Sequence, residues 1–268
     1  MKYCITGASG FIARHLIKAL IEKKEEVIML PREYLYKLSE LERIMEYSKP
    51  EFLIHLASYG NMSWQQDSDD MMNANVAALY NLLEATKEVA YKGLVNISTS
   101  SVTLPKQTMY SLTKRMGEEL ASYYAQTYNK PIVSVRPYSI YGEGEDDRRF
   151  IPTVFRSCLK GEPMVLAPTA VHDWIYIDEI VDRLVWCAEK AGEMGHKAVP
   201  LGTGTSTSNQ QVVSLIEELT GKKANVTERV SMREFDTDRW VAPGSAGLVT
   251  LKEGLERCYG YYKERYGK

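Results

Sequence analysis

The sequence predicts an α/β fold, in which a doubly wound parallel sheet carries helices on both faces and a small cap is interleaved with it. Through the first half of the chain, short apolar stretches alternate with stretches of helical periodicity. Repeated β–α units of this kind are typical of a parallel sheet covered on both sides. After Pro137 the alternation breaks, and glycine, proline and charged residues are dense from Gly142 to Pro168. We therefore expect the second half to form a cap rather than a cleanly separate domain.

The individual elements follow from apolar runs and from the residues that end them. The expected strands of the first half are Tyr3–Ile5, Glu26–Leu30, Phe52–Leu56, Leu94–Ile97 and Ile132–Val135. The expected helices are the run that carries Leu16, Ile17, Leu20 and Ile21, then Leu38–Tyr47, Asp69–Val89 and Met109–Tyr128. The second half should add a strand at Trp174–Ile177 that returns to the sheet, a helix at 178–191, a strand at Val199–Leu201, a helix at Asn209–Thr220, an irregular segment at 222–249 and a helix at Leu251–Tyr266.

Composition and charge restrict the class of protein. The chain has 268 residues, of which 44% are hydrophobic and 25% charged, the balance of a globular protein with a sizeable core. A net charge of −2 without a basic stripe gives no electrostatic support to nucleic-acid binding. No apolar run approaches the roughly 18 residues of a membrane span. We therefore expect no membrane contact, and because the chain enters a strand at once we expect no signal peptide. The expected location is cytoplasmic.

The cysteines, Cys4, Cys158, Cys187 and Cys258, are scattered and form no CxxC pair. Such cysteines are typical of reduced thiols in a reducing compartment. We therefore expect no metal site and no catalytic role for these thiols.

A glycine-containing turn joins the first strand to the first helix. Residues 6–12 read Thr-Gly-Ala-Ser-Gly-Phe-Ile, and a turn in this position can hold the pyrophosphate of a dinucleotide. Gly7 permits the tight turn, Gly10 lets the backbone approach the phosphates, and Ala13 lets the helix pack closely on the strand. The helix N-terminus adds free N–H groups and a partial positive charge. An ordinary strand–turn–helix connection is the alternative interpretation.

Tyr110 and Lys114 lie one helical turn apart on one face of a predicted helix. A free tyrosine has a pKa of about 10 and a nearby ammonium lowers it, so the pair can move a proton at an alcohol oxygen while a nicotinamide takes or returns hydride. Tyr259 and Lys263 have the same spacing, and we interpret them as a solvent-facing helix surface. The serine-rich stretch at 96–101 distinguishes the first pair, because it follows a strand and ligands bind beyond that edge of a parallel sheet.

A series of motifs follows a fixed order along the chain. They are Thr6–Ile12 (TGxxGFI), His55–Ala57 (HLA), Asn75 (NVxGT), Ile97–Thr99 (ISS/IST), Tyr110 with Lys114 (YxxxK), Arg136–Gly142 (RPxNxYG), Asp173–Asp178 (RDfxhVxD) and Leu201–Gly204 (LGTG). Together they resemble the extended short-chain dehydrogenases/reductases, the NAD(P)-dependent nucleotide-sugar epimerase/dehydratase family. The resemblance implies a Rossmann domain at 1–137 plus about 172–202, and a substrate-binding cap at about 138–171 and 203–268.

The resemblance also implies roles for individual residues. Thr99 would hold the substrate oxygen, Tyr110 would be the acid/base, and Lys114 would bind the nicotinamide ribose and tune Tyr110. The cofactor would contact Gly7, Gly10, Phe11, Ile12, Leu56, Ala57, Asn75, Tyr110, Lys114 and Pro137. The substrate would contact Thr99, Ser100, Ser139 and His172.

The end of the second strand departs from an NAD-binding pattern. It reads Leu30-Pro31-Arg32, without an acidic residue that could accept a hydrogen bond from the ribose 2′-hydroxyl. Arg32 could instead pair with a 2′-phosphate through two hydrogen bonds. This favours NADP as the cofactor, with NAD, and Arg32 as a plain surface residue, as the alternatives.

Two further departures concern the region that borders the substrate. Thr99 is followed by Ser100 and Ser101 where 4,6-dehydratases of the family carry an acid, so we expect no dehydration. The loop from Thr99 to Tyr110 is shorter than is usual in the family, so the family's substrate specificity does not carry over.

The diphosphate contact is also altered. His172 stands where the family commonly has an arginine, and Ser139 stands where it has an asparagine. Arg148, Arg149 and Arg239 are candidates for the missing positive charge, with surface positions as the alternative.

The resemblance implies hydride transfer at C4 of a nucleotide-linked sugar. Two outcomes share that chemistry and stay open. A 4-epimerase removes hydride and returns it to the other face of the sugar, and a 4-keto-sugar reductase performs only the second half. The alternatives are a reductase of carbonyl compounds unrelated to nucleotides and a non-catalytic NAD(P)-binding sensor or scaffold.

The helices at 69–89 and 107–128 have more apolar positions than one buried stripe needs. Members of the family often pair these helices between two subunits. We therefore expect a homodimer, with burial inside one subunit as the alternative.

Overall fold

The computed structural model describes residues 1–195, 198–231, 242 and 249–267. The chain divides into two compact units, Met1–Pro137 with Val181–Pro200 and Tyr138–Ile180 with Leu201–Lys268. Each unit is therefore assembled from two separate stretches of the chain.

Strands and helices alternate along the described residues. The strands are β1 (Lys2–Thr6), β2 (Glu26–Leu30), β3 (Phe52–His55), β4 (Gly93–Ile97), β5 (Ile132–Pro137), β6 (Ser139–Tyr141), β7 (Met164–Leu166), β8 (Val171–His172), β9 (Trp174–Tyr176), β10 (Val199–Leu201), β11 (Thr207–Ser208) and β12 (Val226–Arg229). The helices are α1 (Phe11–Glu22), α2 (Leu38–Ser48), α3 (Ser68–Met72), α4 (Ala78–Thr86), α5 (Met109–Thr127), α6 (Phe150–Lys160), α7 (Ile177–Lys190), α8 (Asn209–Thr220) and α9 (Leu251–Tyr266).

The first unit is built on a sheet with the strand order β10-β5-β4-β3-β1-β2, in which β1 to β5 run parallel. Because β1 lies between β2 and β3, the chain leaves β1 toward one edge and later continues from β3 toward the other. Such a change of direction opens a crevice beyond the carboxyl ends of β1 and β3. The register aligns Leu30, Thr6, His55 and Asn96, so the segments after these strands leave the sheet at one edge. The predicted doubly wound α/β fold is confirmed.

The single helix predicted at Asp69–Val89 is interrupted. α3 is followed by a π-helical turn at Asn73–Ala77 and then by α4, which ends at Thr86. A π-helical turn takes up an extra residue and is often found near functional sites. Apolar periodicity could not predict it, because the buried stripe of α4 continues on the expected face.

The second unit contains three pairs of strands within its described residues. β6 pairs with β9 and β7 with β12, both parallel, while β8 pairs with β11 antiparallel. Two predictions are wrong here. The strand at Trp174–Tyr176 pairs with β6 instead of returning to the large sheet, since a short apolar run does not specify its partner. The segment predicted as irregular contains β12, and α6, inside the glycine- and charge-dense region, was not predicted. That this unit is a substrate-binding cap stays a proposal.

All four cysteines are buried free thiols. Burial raises the pKa of Cys158 to about 11 and the pKa values of Cys4 and Cys187 to about 12. Among the described residues, no helix is long and apolar enough to cross a membrane. In the same part of the chain, no group of three His, Cys, Asp or Glu side chains is placed to hold a metal ion.

Candidate active site

The turn between β1 and α1 fits a pyrophosphate. Gly7 has a φ of +68°, and a Cβ there would lie 2.7 Å from the backbone nitrogen of Ala57, so the turn requires glycine. Gly10 is the N-cap of α1, whose first residues are Phe11 and Ile12, and this helix start has neither a side-chain cap nor an acidic residue. Its N–H groups are therefore left for a ligand, and their partial positive charge suits an anion.

Thr6 fastens the glycine turn to the end of β3. The N–H of Ala57 donates to Thr6 Oγ1 (3.2 Å), which lies 2.8 Å from Nδ1 of His55. Burial, together with the positive charge of Lys114, lowers the pKa of His55 to about 3, so the imidazole is neutral. These contacts hold Leu56 and Ala57, both half-buried, beside the turn.

Asn75 holds the loop that follows β3. Its side-chain oxygen accepts from the N–H of Tyr59 (2.9 Å), and its amide donates to the carbonyl of Tyr59 (2.8 Å) and to Thr113 Oγ1 (3.0 Å). Thr113 in turn donates to the carbonyl of Tyr110 (2.9 Å). Because both N–H bonds of this buried amide are used, Asn75 connects the loop to α5. The cofactor contact expected from Asn75 stays a prediction.

The start of α5 is fixed directly beside Tyr110. The Thr108 hydroxyl accepts from the N–H of Ser111 (3.1 Å), and the N–H of Thr108 donates to the Ser111 hydroxyl (2.8 Å). This capping box sets the first turn, on which Tyr110 is half-buried. Gly117 lets α5 approach the π-helical turn, since a Cβ there would lie 3.3 Å from the carbonyl oxygen of Asn75.

Lys114 is buried one turn after Tyr110, with 3% of its surface exposed. Among the described residues, none accepts a hydrogen bond from its ammonium or forms an ion pair with it. Burial lowers its pKa to about 8, and the carboxylate of Glu118 partly opposes that shift. A buried ammonium without a partner is costly, and ribose hydroxyls are acceptors that would satisfy it. With the uncapped start of α1, this lysine fits a nicotinamide dinucleotide.

Glu118, one turn beyond Lys114, connects α5 to two strand ends. Arg136, next to Pro137 at the end of β5, donates Nε to Oε1 (2.8 Å) and Nη2 to Oε2 (2.6 Å). Ser98, after β4, donates its hydroxyl to Oε1 (2.5 Å). Both oxygens of this buried carboxylate are therefore occupied. This network was not predicted, because it joins residues 18 to 20 positions apart in the sequence.

Thr99 follows β4 and begins a short 3₁₀-helix. Its hydroxyl accepts from the N–H of Ser101 (3.2 Å) and lies 2.7 Å from the Ser101 hydroxyl, whereas Ser100 is almost wholly buried. Arg115 of α5 donates to the carbonyl of Val102, which joins this 3₁₀-helix to α5. The structure therefore brings the serine-rich stretch against the helix that carries the tyrosine–lysine pair. Substrate contacts at Thr99 and Ser100 stay predictions.

Arg32 follows β2 in a short 3₁₀-helix, ending at Tyr36, that was not predicted. Because Thr6 is opposite Leu30, the glycine turn and Arg32 leave the sheet at the same level. The guanidinium is exposed, and a hydrogen bond with Tyr36, assisted by the charge of Asp70, raises the pKa of Arg32. Arg32 is therefore an exposed, charged residue at the same height of the sheet as the glycine turn, where it is available to a phosphate.

In the second unit, Ser139 and His172 lie together. Ser139 Oγ lies 3.1 Å from Nδ1 of His172, and the imidazole packs on Trp174 with ring centroids 5.0 Å apart. Trp174 also stacks on Phe150 (5.8 Å), and its indole N–H has no hydrogen-bond partner in the described part of the chain. This aromatic group was not predicted, because Phe150 lies on the unpredicted helix α6.

The arginines considered as a source of positive charge have different positions. Arg148 donates to both oxygens of Asp146 (2.9 and 2.8 Å), and Arg149 is the N-cap of α6. Arg239 lies outside the described residues.

Asp173 joins two of the sequence motifs into one structural unit. Its buried carboxylate accepts from the N–H and hydroxyl of Thr203 (both 2.7 Å) and from the N–H groups of Gly204 and Ala242 (both 2.9 Å). A Cβ at Gly202 would lie 2.5 Å from Oδ2, so the turn needs glycine to reach the carboxylate. The role of Asp173 is therefore to hold the LGTG turn.

The order of these features along one chain agrees with comparisons to known proteins. A model of the NAD-dependent epimerase/dehydratase family matches residues 3–202. The chain belongs to this family. Membership confirms the resemblance to extended short-chain dehydrogenases/reductases and the assignment to NAD-dependent enzymes. The residue-by-residue roles and the preference for NADP stay predictions.

Two named relatives and one solved structure match nearly the whole chain. A Bacillus subtilis (strain 168) protein named as an uncharacterized UDP-glucose epimerase, YtcB, is 26% identical over 99% of both chains. A probable UDP-glucuronate 4-epimerase of Rhizobium meliloti (strain 1021) is 25% identical over 99% of this chain and 98% of its own. The UDP-glucuronic acid 4-epimerase of Bacillus cereus, solved with UDP-glucuronic acid and NAD, has a TM-score of 0.85 at 24% identity, covering 99% of this chain and 100% of that one. It has the same fold.

Proposed function

We propose that this protein is a nucleotide-sugar 4-epimerase that works with a nicotinamide dinucleotide. The observation that carries the proposal is the buried ammonium of Lys114, which has no partner among the described residues and lies one helical turn from Tyr110. A lysine ammonium without a protein partner, one helical turn from a phenol, suits a reaction that holds a ribose and moves a proton. The epimerase names of relatives that match almost the whole chain support the same function.

The side chains have separate tasks in this proposal. Tyr110 accepts the proton of the sugar 4-hydroxyl as the C4–H bond breaks, and returns it when the hydroxyl re-forms. Thr99 holds the same oxygen through its hydroxyl, and Lys114 binds the ribose and favours the phenolate. The bound dinucleotide supplies the hydride acceptor and donor. Asn75 and the capping box of α5 fix the position of Tyr110.

We propose NADP as the preferred nucleotide. Arg32 is exposed and charged at the level of the glycine turn, and a guanidinium pairs well with a 2′-phosphate. The solved Bacillus cereus relative holds NAD, which makes NAD the alternative. The same arginine favours a second candidate function, a 4-keto-sugar reductase, because such an enzyme uses an exchangeable NADPH for only the hydride-returning half of the reaction.

The proposed substrate is a nucleoside-diphosphate sugar, with Ser139 and His172 among its proposed contacts. Ser139 and His172 are hydrogen-bonding neighbours, and the imidazole of His172 packs on the ring of Trp174. The names of the relatives make UDP-glucose and UDP-glucuronate the first compounds to try.

We also propose that the protein is a homodimer. Leu112, Met116 and Tyr123 of α5 are exposed, and so is Tyr80 of α4. Large apolar side chains repeated along one helix face are typical of a surface that packs against a second subunit.

The first experiment identifies the cofactor. The purified protein is denatured, and any released nucleotide is identified by mass spectrometry. The emptied protein is then titrated with NADPH and NADH by fluorescence, with Arg32→Ser and, as a control on a nearby exposed cation, Lys37→Ser. We expect NADPH to bind about tenfold more tightly than NADH, and only Arg32→Ser to remove the difference. Stoichiometric, tightly held NAD would contradict the interpretation of Arg32 and strengthen the epimerase assignment.

The second experiment tests turnover. UDP-glucose and UDP-glucuronate are incubated with the loaded enzyme, and the 4-epimers are followed by NMR. Interconversion supports the epimerase, and consumption of NADPH with 4-keto sugars supports the reductase. Binding of a dinucleotide without any sugar-nucleotide turnover or thermal shift would favour a carbonyl reductase of other substrates or a non-catalytic sensor.

A further inference from the structure

Lys114 and Glu118 are separated by four positions on α5, the spacing at which opposite charges pair on a helix. Both side chains are buried, which should strengthen their attraction. The structure nevertheless shows no ion pair between them within the described residues, because both carboxylate oxygens are bound elsewhere. Arg136 binds Oε1 and Oε2, and Ser98 also binds Oε1.

Glu118 binds Arg136 rather than Lys114 because the geometry of the two donor groups differs. The guanidinium of Arg136 offers two parallel donors that match the carboxylate, whereas an ammonium is a single point charge. The side chain of Glu118 is 8% exposed and that of Arg136 31% exposed, so the arginine reaches the buried carboxylate from a partly solvated position. This arrangement costs less desolvation than a pair with both charges buried.

We propose that Arg136 is a positioning residue for the reaction: by occupying the carboxylate of Glu118, it prevents Glu118 from capturing the ammonium of Lys114. The ammonium then stays available to the phenol of Tyr110 and to the cofactor ribose. This inference rests on the roles proposed above for Tyr110 and Lys114.

The groups that act on Lys114 come from three elements. Tyr110 and Glu118 lie on α5 itself, His55 lies on β3, and Arg136 lies on β5. His55 is neutral at physiological pH. The net electrostatic effect of these groups on the Lys114 ammonium therefore depends on whether the charges of Glu118 and Arg136 cancel each other.

Two other helices pack against α5 and bear carboxylates. On α4, Glu84 is paired with Lys87 and accepts a hydrogen bond from Tyr124, far along α5 from Lys114. On α3, Asp69 and Asp70 are exposed and therefore screened by water.

The proposal predicts opposite effects from two changes that break the same ion pair. Arg136→Met leaves the carboxylate of Glu118 free to bind Lys114, which neutralises the cation beside Tyr110 and raises the pKa of the phenol. Glu118→Gln removes that carboxylate, keeps the ammonium free and lowers the pKa of the phenol. The loss of one cation or one anion shifts the phenol pKa in these two directions by charge alone, so the capture of Lys114 is distinguished by a second measurement, the affinity for the cofactor ribose.

The experiment measures the titration of Tyr110 directly. The full chain is labelled with ¹³C at tyrosine Cζ, and the Tyr110 resonance is identified by its loss in Tyr110→Phe. We expect the midpoint to rise by roughly one pH unit in Arg136→Met and to fall in Glu118→Gln. The double variant Arg136→Met/Glu118→Gln should titrate at or below the wild-type midpoint. Arg265→Met, which removes another two-bond arginine–carboxylate pair, at Asp147, is the matched control and should leave the midpoint unchanged.

A second measurement reports on the ammonium without turnover. Fluorescence titration with NADPH and NADH should show about tenfold weaker binding in Arg136→Met and recovery in the double variant. Midpoints that shift in the same direction in both single variants, or no shift in Arg136→Met, would overturn the proposal. If Arg136→Met does not fold by circular dichroism, Arg136→Lys replaces it, and absence of a smaller upward shift there is the contradicting result. Failure of the wild type to turn over any sugar nucleotide would contradict the proposed function but would leave the midpoint test intact.

Discussion

Two helices of this protein carry a tyrosine and a lysine four residues apart, and their surroundings differ. On α5, Lys114 is buried, has a pKa lowered to about 8 by burial, and lacks a partner among the described residues. On α9, Lys263 is exposed, and its ammonium lies 5.7 Å from the centre of the ring of Tyr259. The spacing is the same in both places. The burial of the cation, rather than the spacing, therefore marks a pair suited to proton transfer.

The neighbours of the two tyrosines reinforce this difference. The backbone of Tyr110 is held through Thr113 and Asn75, which places it in a polar network of the first unit. Tyr259 instead stacks on Phe155 at a centroid distance of 6.4 Å, in the apolar packing of the second unit. Hydrogen bonds therefore hold the backbone of Tyr110 in a defined position, whereas apolar contacts hold only the ring of Tyr259.

The largest expected effect separates the two tyrosines by activity. Tyr110→Phe should lower turnover of the nucleotide sugar about a thousandfold, because the proposed acid/base is lost. Tyr259→Phe should leave turnover unchanged, and both variants should bind cofactor normally. Initial rates by NMR and fluorescence titrations provide the measurement. Equal losses of turnover in Tyr110→Phe and Tyr259→Phe would contradict the proposed difference between the two tyrosine–lysine pairs.

The next effect separates the two lysines by pH. The folded pKa of Lys114, about 8, lies below its usual value of 10.5, so between these pH values the unfolded chain holds a proton that the folded chain has lost. The free energy of unfolding of the cofactor-free wild type should therefore rise with pH across this window relative to Lys114→Met, by about 3 kcal/mol in total. Urea unfolding at pH 7 to 10.5 measures it. The same series measured with Lys263→Met is the control for the general effect of removing an exposed lysine.

A smaller effect concerns cofactor affinity. Lys114→Met should weaken binding of NADPH about tenfold, because ribose hydroxyls lose a charged donor. Lys263→Met is the control and should not change the dissociation constant. Unchanged affinity in Lys114→Met would mean that the buried ammonium serves only the phenol.

The smallest effect on activity should come from the exposed face of α5. Leu112→Asp should convert the proposed dimer to a monomer, since a carboxylate cannot be buried against apolar side chains, while turnover changes less than threefold. Sedimentation and light scattering give the mass. Lys263→Asp, on the exposed face of α9, should not alter it. A wild type that is already monomeric would contradict the proposed dimer.

The first unit could be predicted from the sequence more fully than the second. Apart from the partly exposed edge strand β2, its strands are buried apolar runs, and its helices have one apolar stripe, so periodicity placed β2 and α5 within a residue of their observed bounds. In the second unit the strands are short and paired two by two, so apolar content could not specify that Trp174–Tyr176 pairs with β6. The helix α6 was not predicted because charged residues directly precede it in the sequence.

For the site, motifs identified residues but not their tasks. Asn75 and Asp173 were recognised as motif positions, yet each proves to hold a loop or a turn by three or more hydrogen bonds. Such bonds join residues far apart in sequence, and nothing in local spacing encodes them. The competition between Arg136 and Lys114 for Glu118 also depends on burial, which only the fold reveals.

The assembly of the first unit from two stretches of chain has a consequence for its synthesis. β5 lies between β4 and β10 in the sheet, and β10 is made after the first stretch of the second unit. The ribosome must add about 60 residues between β5 and β10, and at the usual rate of protein synthesis this takes on the order of 3 to 12 seconds. For that interval the nascent chain presents the apolar edge of β5, Ile132–Pro137, without its neighbour. An open strand edge of this kind is a site of aggregation, so the period before Val199–Leu201 emerges is when the growing polypeptide most needs a chaperone.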